Sequence, residues 1–212
     1  MGGVILFLNA HIDDQSFRLG LPIAIAGELV RLWASGFIER KGQKLATNGP
    51  FAHVRNPLYI GNFLIGLGIV LMARNPILLG IFLAGFAILY WGTVRKEEKD
   101  LRELFKQSYD DYVKEVPCLI PRLRPYSHRE KSHYQWRLLL KHREPITVLG
   151  LALLITSLYV WEEIFIKREF YWRSQLAVGV GLVLIGGLAA EWIFRHRQKK
   201  NSAAPGVTRE SG

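Results

Sequence analysis

The chain has 212 residues, half of them apolar, with 20 Gly and 6 Trp, and yet carries a net charge of +10. That mixture is foreign to an ordinary soluble domain and normal for a helical membrane protein with basic loops. The basic residues sit between apolar runs and not in one tail, which argues against a nucleic-acid partner. The single Cys118 excludes an internal disulfide and any multi-cysteine metal site, and is expected to be a buried, inert thiol.

Residues 1–18 read as an extramembrane or interfacial segment. Positions 4–8 are apolar, but His11, Asp13 and Asp14 follow with no small-residue cleavage site, so no cleavable signal is expected. A first span over 19–38 is about 30 Å long as a helix. Its Glu28 and Arg31, three residues apart, share a face and can pair, a structural role being at least as good a reading as one in a site. Two shorter spans follow at 58–73 and 77–94, about 24 and 27 Å long. Arg74-Asn75-Pro76 turns the chain between them, with Asn75 as cap and Pro76 at the first helical position. Gly66 and Gly68 read as helix-packing residues. Residues 19–121 thus form a core with three transmembrane helices, followed by a basic cytoplasmic linker over 122–145. A second hairpin, 146–164 and 176–194, fills 146–194, with Gly179, Gly181, Gly186 and Gly187 offering close packing or a groove. Residues 195–212 read as a disordered basic tail. The predicted fold is an all-α integral membrane protein of about five transmembrane helices. Loops 39–57 and 95–145 and the tail hold 22 of the 28 Lys/Arg. The positive-inside rule therefore orients the chain N-out/C-in, with both loops on the cytoplasmic side.

Each cytoplasmic loop carries an unusual block. The first runs Gly49-Pro50-Phe51-Ala52-His53-Val54-Arg55-Asn56-Pro57-Leu58-Tyr59-Ile60-Gly61. Asn56-Pro57 starts a helix; the free N–H groups of Leu58 and Tyr59, with Arg55 and His53 nearby, suit a carboxylate or phosphate. By itself that block is explained as well by a capped helix with basic residues near lipid headgroups. The second block is Glu97-Glu98 followed by Tyr109, Tyr112, Pro117 and Pro121. If the third span continues as one helix through Val116, then Val94, Leu101, Leu104, Phe105, Tyr109, Tyr112 and Val116 form a stripe that includes Glu98. A carboxylate on an apolar face needs a partner or a ligand, and a buried Glu98–Arg55 salt bridge is the structural alternative. Together the blocks suit a zwitterion with an additional positive centre: a carboxylate at Arg55 and the helix start, an ammonium at Glu97 or Glu98, and a sulfonium against aromatic rings. S-adenosylmethionine fits that description, although a nucleotide is not excluded. The six His have no metal-ligand spacing, so no metal site is expected.

Gly-Pro-Phe-x-x-x-Arg-Asn-Pro-x-Tyr-x-Gly, an Asn-Pro hairpin turn, then Glu-Glu-x-x-Leu-x-x-x-Phe-x-x-x-Tyr-x-x-Tyr-x-x-x-x-Pro resembles the isoprenylcysteine carboxyl methyltransferase family. The wider group takes in membrane phospholipid methyltransferases, and sterol C14-reductases are similar in their cytoplasmic half. The resemblance covers about 45–121, and Arg31-Leu32-Trp33-Ala34 is similar to the family's upstream helix. Two departures stand out: Asn56 where eukaryotic members have His, and Gln107 in place of the Gly of a Phe-Gly-x-x-Tyr segment.

The resemblance implies methyl transfer from S-adenosylmethionine to a lipid-like or prenylated acceptor in the bilayer, with a pocket at the mouth of the helix hairpin and the following amphipathic helix. It implies catalytic roles for Arg55, Glu98 and Tyr59. Cofactor contacts are expected at Gly49, Pro50, His53, Arg55, Asn56, Pro57, Tyr59, Gly61, Glu97, Glu98, Tyr109 and Tyr112. A protonated amine acceptor would also need a base, His53 or a Glu. The style of the motif suggests a bacterial inner membrane. Phospholipid N-methylation, NADPH-dependent sterol-type reduction and a non-enzymatic membrane scaffold stand as alternatives.

Overall fold

A computed structural model describes residues 14–38, 44–129, 132–141, 144–161, 177–181 and 183–186. Among them there is no strand. In order come α1 (Asp14–Ser35), a 3-10 turn (Gly49–Ala52), α2 (Pro57–Met72), α3 (Pro76–Phe105), α4 (Gln107–Glu115), α5 (Trp136–Lys141) and α6 (Glu144–Trp161). The chain divides into two compact units, 1–145 and 146–212.

α1 starts five residues earlier than the pattern of apolar residues suggests and stops at Ser35 instead of position 38. The stop has a local cause. At Gly36 a Cβ would collide with the Tyr134 ring, and the Gly36 carbonyl accepts from Gln135 N–H at 3.0 Å. The end of α1 is thus shaped to receive residues 134 and 135.

α1 and α2 lie against each other along a seam of small residues. A Cβ on Gly27 would sit 2.6 Å from the Gly61 carbonyl oxygen, and one on Gly68 2.6 Å from that of Gly20. These pairs run in opposite directions along the two helices, so the packing is antiparallel, and each helix repeats its glycine after seven residues. Bare backbone on both sides lets the helices approach closely, so that dispersion contacts replace side-chain spacing.

The α2–α3 turn follows the sequence. Asn75 Oδ1 accepts from Ile77 N–H at 2.9 Å and from Leu78 N–H at 3.2 Å, with Pro76 at the first position. The two helices are joined by aromatic contacts, Phe63 against Phe82 and Phe86 and Tyr59 edge-on to Tyr90 at 5.5 Å, while Phe86 stacks on Tyr90 within α3. Gly66 makes room for the Phe82 ring. Elsewhere α3 leaves Ile77, Ile81, Ile88, Leu89 and Trp91 exposed. A helix with such a surface belongs in lipid. Among the described residues α3 and α6 are each long and apolar enough to cross a membrane, and α2 is apolar but only 16 residues long.

One continuous helix from the third span to Val116 is not what forms. The helix breaks at Lys106, whose φ of 46° and ψ of −122° lie where only glycine is comfortable, and α4 begins at Gln107. The bend lets Tyr109, Tyr112 and Val116 turn inward, where they are buried with Ala52 and Tyr126 and flanked by Leu45, Leu101, Phe105 and Val113. Residues 122–145, read as a linker, therefore supply core side chains: Tyr126, Leu138 and Leu139 are buried.

In the second unit, a Cβ on Gly181 would lie 3.7 Å from Thr156 Cγ2, while one on Gly179 or Gly186 would meet nothing within 4 Å. Gly187, the loop 165–175 and the tail 195–212 lie outside the described residues, as do positions 1–13 of the N-terminal segment.

Candidate functional site

The 3-10 turn sets the floor of the site. Gly49 has φ 57° and no room for a Cβ beside the Phe37 ring, while Pro50, Phe51 and Ala52 are buried. From here the chain runs alongside the segment that follows α4. Arg55 N–H donates to the Pro117 carbonyl at 2.9 Å, Arg122 N–H to that of His53 at 2.9 Å, and Tyr126 N–H to that of Ala52 at 2.8 Å. Residues 117–126 are thereby strapped to the loop. His53 is committed to this strap, with Nδ1 2.8 Å from the Arg122 carbonyl oxygen. Tyr112 donates its hydroxyl to the Phe51 carbonyl at 2.6 Å.

Arg55 is the hub. Its Nη2 donates to Glu98 Oε1 at 2.8 Å, and its Nη1 reaches the carbonyls of Val116 at 3.2 Å and Val113 at 3.3 Å. One guanidinium thus ties the loop to α3 and to the end of α4, a pairing the sequence offered as its structural alternative. Burial works against the charged guanidinium, but Glu98, Cys118 and Tyr109 together more than offset it and raise the Arg55 pKa. Two groups in this hub are left over. Arg55 Nε is buried with no hydrogen-bond partner, and Glu98 Oε2 accepts no hydrogen bond among the described residues.

Cys118 and Tyr90 belong to the same cluster, although the sequence reading set the first aside and did not include the second. Cys118 Sγ lies 3.2 Å from the Tyr90 hydroxyl, 3.3 Å from Asn56 Nδ2 and 3.5 Å from Glu98 Oε1. The thiol is half-buried inside a polar network, not in an apolar core. Asn56 is at the cap position but makes no side-chain cap: its amide donates to the Cys118 carbonyl at 3.3 Å and contacts its sulfur. Tyr59 N–H is likewise engaged, at 3.2 Å from the Asn56 carbonyl oxygen, so the anion site foreseen at that N–H is not free. A signal for Tyr90 was present: it precedes Glu97 by seven residues on α3, which places both on the side facing Tyr59.

The remaining candidates take structural places. Pro57 is buried at the start of α2. Gly61 faces Arg31 and Gly27 in the α1–α2 seam, where close packing accounts for it. Tyr109 and Tyr112 are buried in the core. Burial pushes the Tyr109 phenol up to about 12, with the Glu98 charge adding to it, and raises Tyr112 further.

A second polar cluster lies around Arg31. Its Nη2 donates to Glu144 Oε2 at 3.1 Å, its Nη1 to Asn62 Oδ1, and its Nε stands 3.8 Å from Glu28 Oε2. Ser35 Oγ adds a bond to Glu144 Oε1 at 2.7 Å. Glu28 is buried, and neither of its carboxylate oxygens has a hydrogen-bond donor. Among the described residues no group of His, Cys, Asp and Glu is arranged to hold a metal ion.

Arg55, Glu98, Asn56, Tyr59 and Tyr90 all fall within residues 27–108, and this stretch matches the family model described as phospholipid methyltransferase. Over these residues, less than half of its length, the chain is similar to that family. The group includes the isoprenylcysteine-type methyltransferases that the two motif blocks resemble. The chain is also similar to two metal-resistance proteins. It is 35% identical over 117 residues to the nickel-cobalt-cadmium resistance protein NccN of Alcaligenes xylosoxydans xylosoxydans, covering 55% of this chain and 52% of that protein. It is 32% identical over 109 residues to the cobalt-zinc-cadmium resistance protein CzcN of Cupriavidus metallidurans, covering 51% and 49%. The chain spans about half the length of these curated relatives. No solved structure matches it.

Proposed function

We propose that the protein is a membrane-embedded methyltransferase that uses S-adenosylmethionine and methylates a lipid-like acceptor, an isoprenylcysteine-type carboxylate or another apolar carboxylate. The carrying observation is the Arg55–Glu98 hub with its two unused groups, a buried Nε–H donor and a free carboxylate oxygen. An amino-acid end group offers the matching pair, a carboxylate for Arg55 and an ammonium for Glu98. S-adenosylmethionine, when bound, supplies an electrophilic methyl group.

In this reading Arg55, Glu98, Glu97 and Tyr59 make the contacts. Gly49, Pro50, His53, Asn56 and Pro57 set the loop, and Cys118 and Tyr90 hold Glu98 in place. The buried Ala52, Tyr109, Tyr112, Val116 and Tyr126 cover one side of the hub, so that charged contacts there are less screened than in open water. The proposed topology keeps five spans, N-out/C-in, with the hub facing the cytoplasm of a bacterial inner membrane.

Binding of S-adenosylhomocysteine, compared with NADPH by thermal shift and calorimetry, tests the reading. Glu98→Gln should weaken S-adenosylhomocysteine by about ten- to a hundred-fold, on the order of 1.5–3 kcal/mol, in a protein that still unfolds cooperatively. Stabilisation by NADPH alone would replace methyl transfer with reduction, and no response to either would favour a scaffold.

The family description favours a second acceptor, a phospholipid amine. Incorporation of labelled methyl groups into amine lipids, against base-labile methyl esters, decides between the acceptors. The names of the relatives bring in a condition: methylation would matter under cobalt or cadmium exposure. A deletion strain growing normally in graded concentrations of both metals would remove that link.

A further inference from the structure

The strap over residues 117–126 is pinned at three places and exposes large aliphatic side chains between them. Its first anchors are the Pro117 and Cys118 carbonyls, held by Arg55 and Asn56. The middle anchor is Arg122, bonded through N–H and carbonyl to His53 and through Nη1 to the Glu115 carbonyl at 2.6 Å. The last is Tyr126, bonded to Ala52 and buried. Between the anchors two tips project, Leu119-Ile120-Pro121 and Leu123-Arg124-Pro125. Leu119 is 42% exposed, Ile120 81% and Leu123 96%. In water such tips should be polar, because a large aliphatic side chain left exposed forgoes the free energy of burial. Arg124 is exposed at the second tip and makes no ion pair among the described residues. Two rigid aliphatic tips with an adjoining free guanidinium are complementary to the boundary between acyl chains and anionic headgroups.

We propose that this strap is an interfacial wedge: Ile120 and Leu123 seat in the outer acyl region of the bilayer while Arg124 meets a lipid phosphate. The proposal rests on the membrane reading above and extends it. The strap's inner edge holds Arg55 and Glu98 through Pro117 and Cys118, so one short segment has lipid on its outer side and the hub on its inner side. A lipid acceptor then has its headgroup level fixed beside the hub by the protein's own chain.

Depth measurement tests this without any assay of activity. Single cysteines at 114, 120 and 123, in a Cys118→Ser background checked for cooperative unfolding, carry spin labels in nanodiscs of mixed phosphatidylcholine and phosphatidylglycerol. Labels at 120 and 123 should be accessible to oxygen and shielded from a water-soluble nickel complex, and the label at 114 the reverse. Nickel accessibility at 120 and 123 equal to that at 114 would overturn the wedge. Arg124→Glu should lift the label at 123 outward in these nanodiscs but not in pure phosphatidylcholine. The same depth in both would overturn the phosphate contact. Buried labels, together with a Cys118-containing protein that binds no S-adenosylhomocysteine, would sink methyl transfer and leave the wedge standing.

Discussion

Two arginines organise this protein, and they are supplied differently. Arg55 faces one carboxylate, Glu98, and spends its remaining Nη donors on backbone carbonyls of Val113 and Val116. Arg31 stands between two buried carboxylates, Glu28 and Glu144, and leaves both oxygens of Glu28 without a donor. The first cluster balances its charges and is partly open. The second carries an excess carboxylate inside helix packing. In a poorly solvated place an unbalanced group is expensive, so removing its counter-charge does more harm than removing one from a balanced, half-wet pair.

The sharpest way to break the comparison is to remove each guanidinium. Arg31→Leu should cost about 3–5 kcal/mol, because two buried carboxylates lose their partner, and Arg55→Leu distinctly less, since Glu98 can reach solvent. Thermal unfolding in detergent measures both, and Glu28→Gln should restore part of the loss at Arg31 but none at Arg55. Equal losses at the two sites would end the distinction. The seam comes next. A Cβ at Gly61 would lie 2.5 Å from Arg31 Cγ and 2.7 Å from the Gly27 carbonyl oxygen. Gly61→Ala should therefore cost about 1–3 kcal/mol and disturb Arg31, while cofactor binding at the hub changes little. A loss of affinity without a loss of stability would return Gly61 to the cofactor site.

A smaller effect, of opposite sign, is expected at Lys106. Lys106→Gly removes strain at φ 46° and should stabilise the protein by about 1 kcal/mol in the same unfolding experiment. An unchanged midpoint would mean that the bend costs nothing. The smallest effect concerns the clasp beside the strap. The Ser127 hydroxyl and Arg122 hold the Glu115 carboxyl below its ordinary value of 4.5. Its contribution is complete above that value and is lost as pH falls through the lower, folded-state value. Acid sensitivity of the strap as pH falls below the ordinary value of 4.5 should disappear in Glu115→Gln, as read from labels at 120 and 123.

The sequence revealed what local chemistry dictates. Asn75-Pro76 announced both cap and turn, and the stripe of Tyr109, Tyr112 and Val116 announced a buried face. Arg55 and Glu98 were legible as a pair because each is a charge on an otherwise apolar or backbone-rich surface. The break at Lys106 was hidden, since lysine gives no sign of a glycine-like conformation. A Phe-Gly-x-x-Tyr segment aligned on Phe105 and Tyr109 has its glycine at 106, not at Gln107, and that alignment would have located the bend. Cys118 and Glu144 were illegible for another reason: their partners are far away in the chain, Asn56 and Tyr90 for one, Arg31 and Ser35 for the other. No pattern of spacing within a single helix encodes such meetings.

The length of α3 has a further consequence. Its 30 residues make a rod about 45 Å long, against a hydrocarbon layer of about 30 Å. Glu98 sits about 33 Å along it from Pro76, close to where such a rod emerges. A rigid helix of this kind works as a ruler, and the bilayer supplies the scale. Thinner membranes would carry the headgroup plane below Glu98 and thicker ones would submerge it, so acyl-chain length becomes a variable that sets how well lipid and hub are aligned.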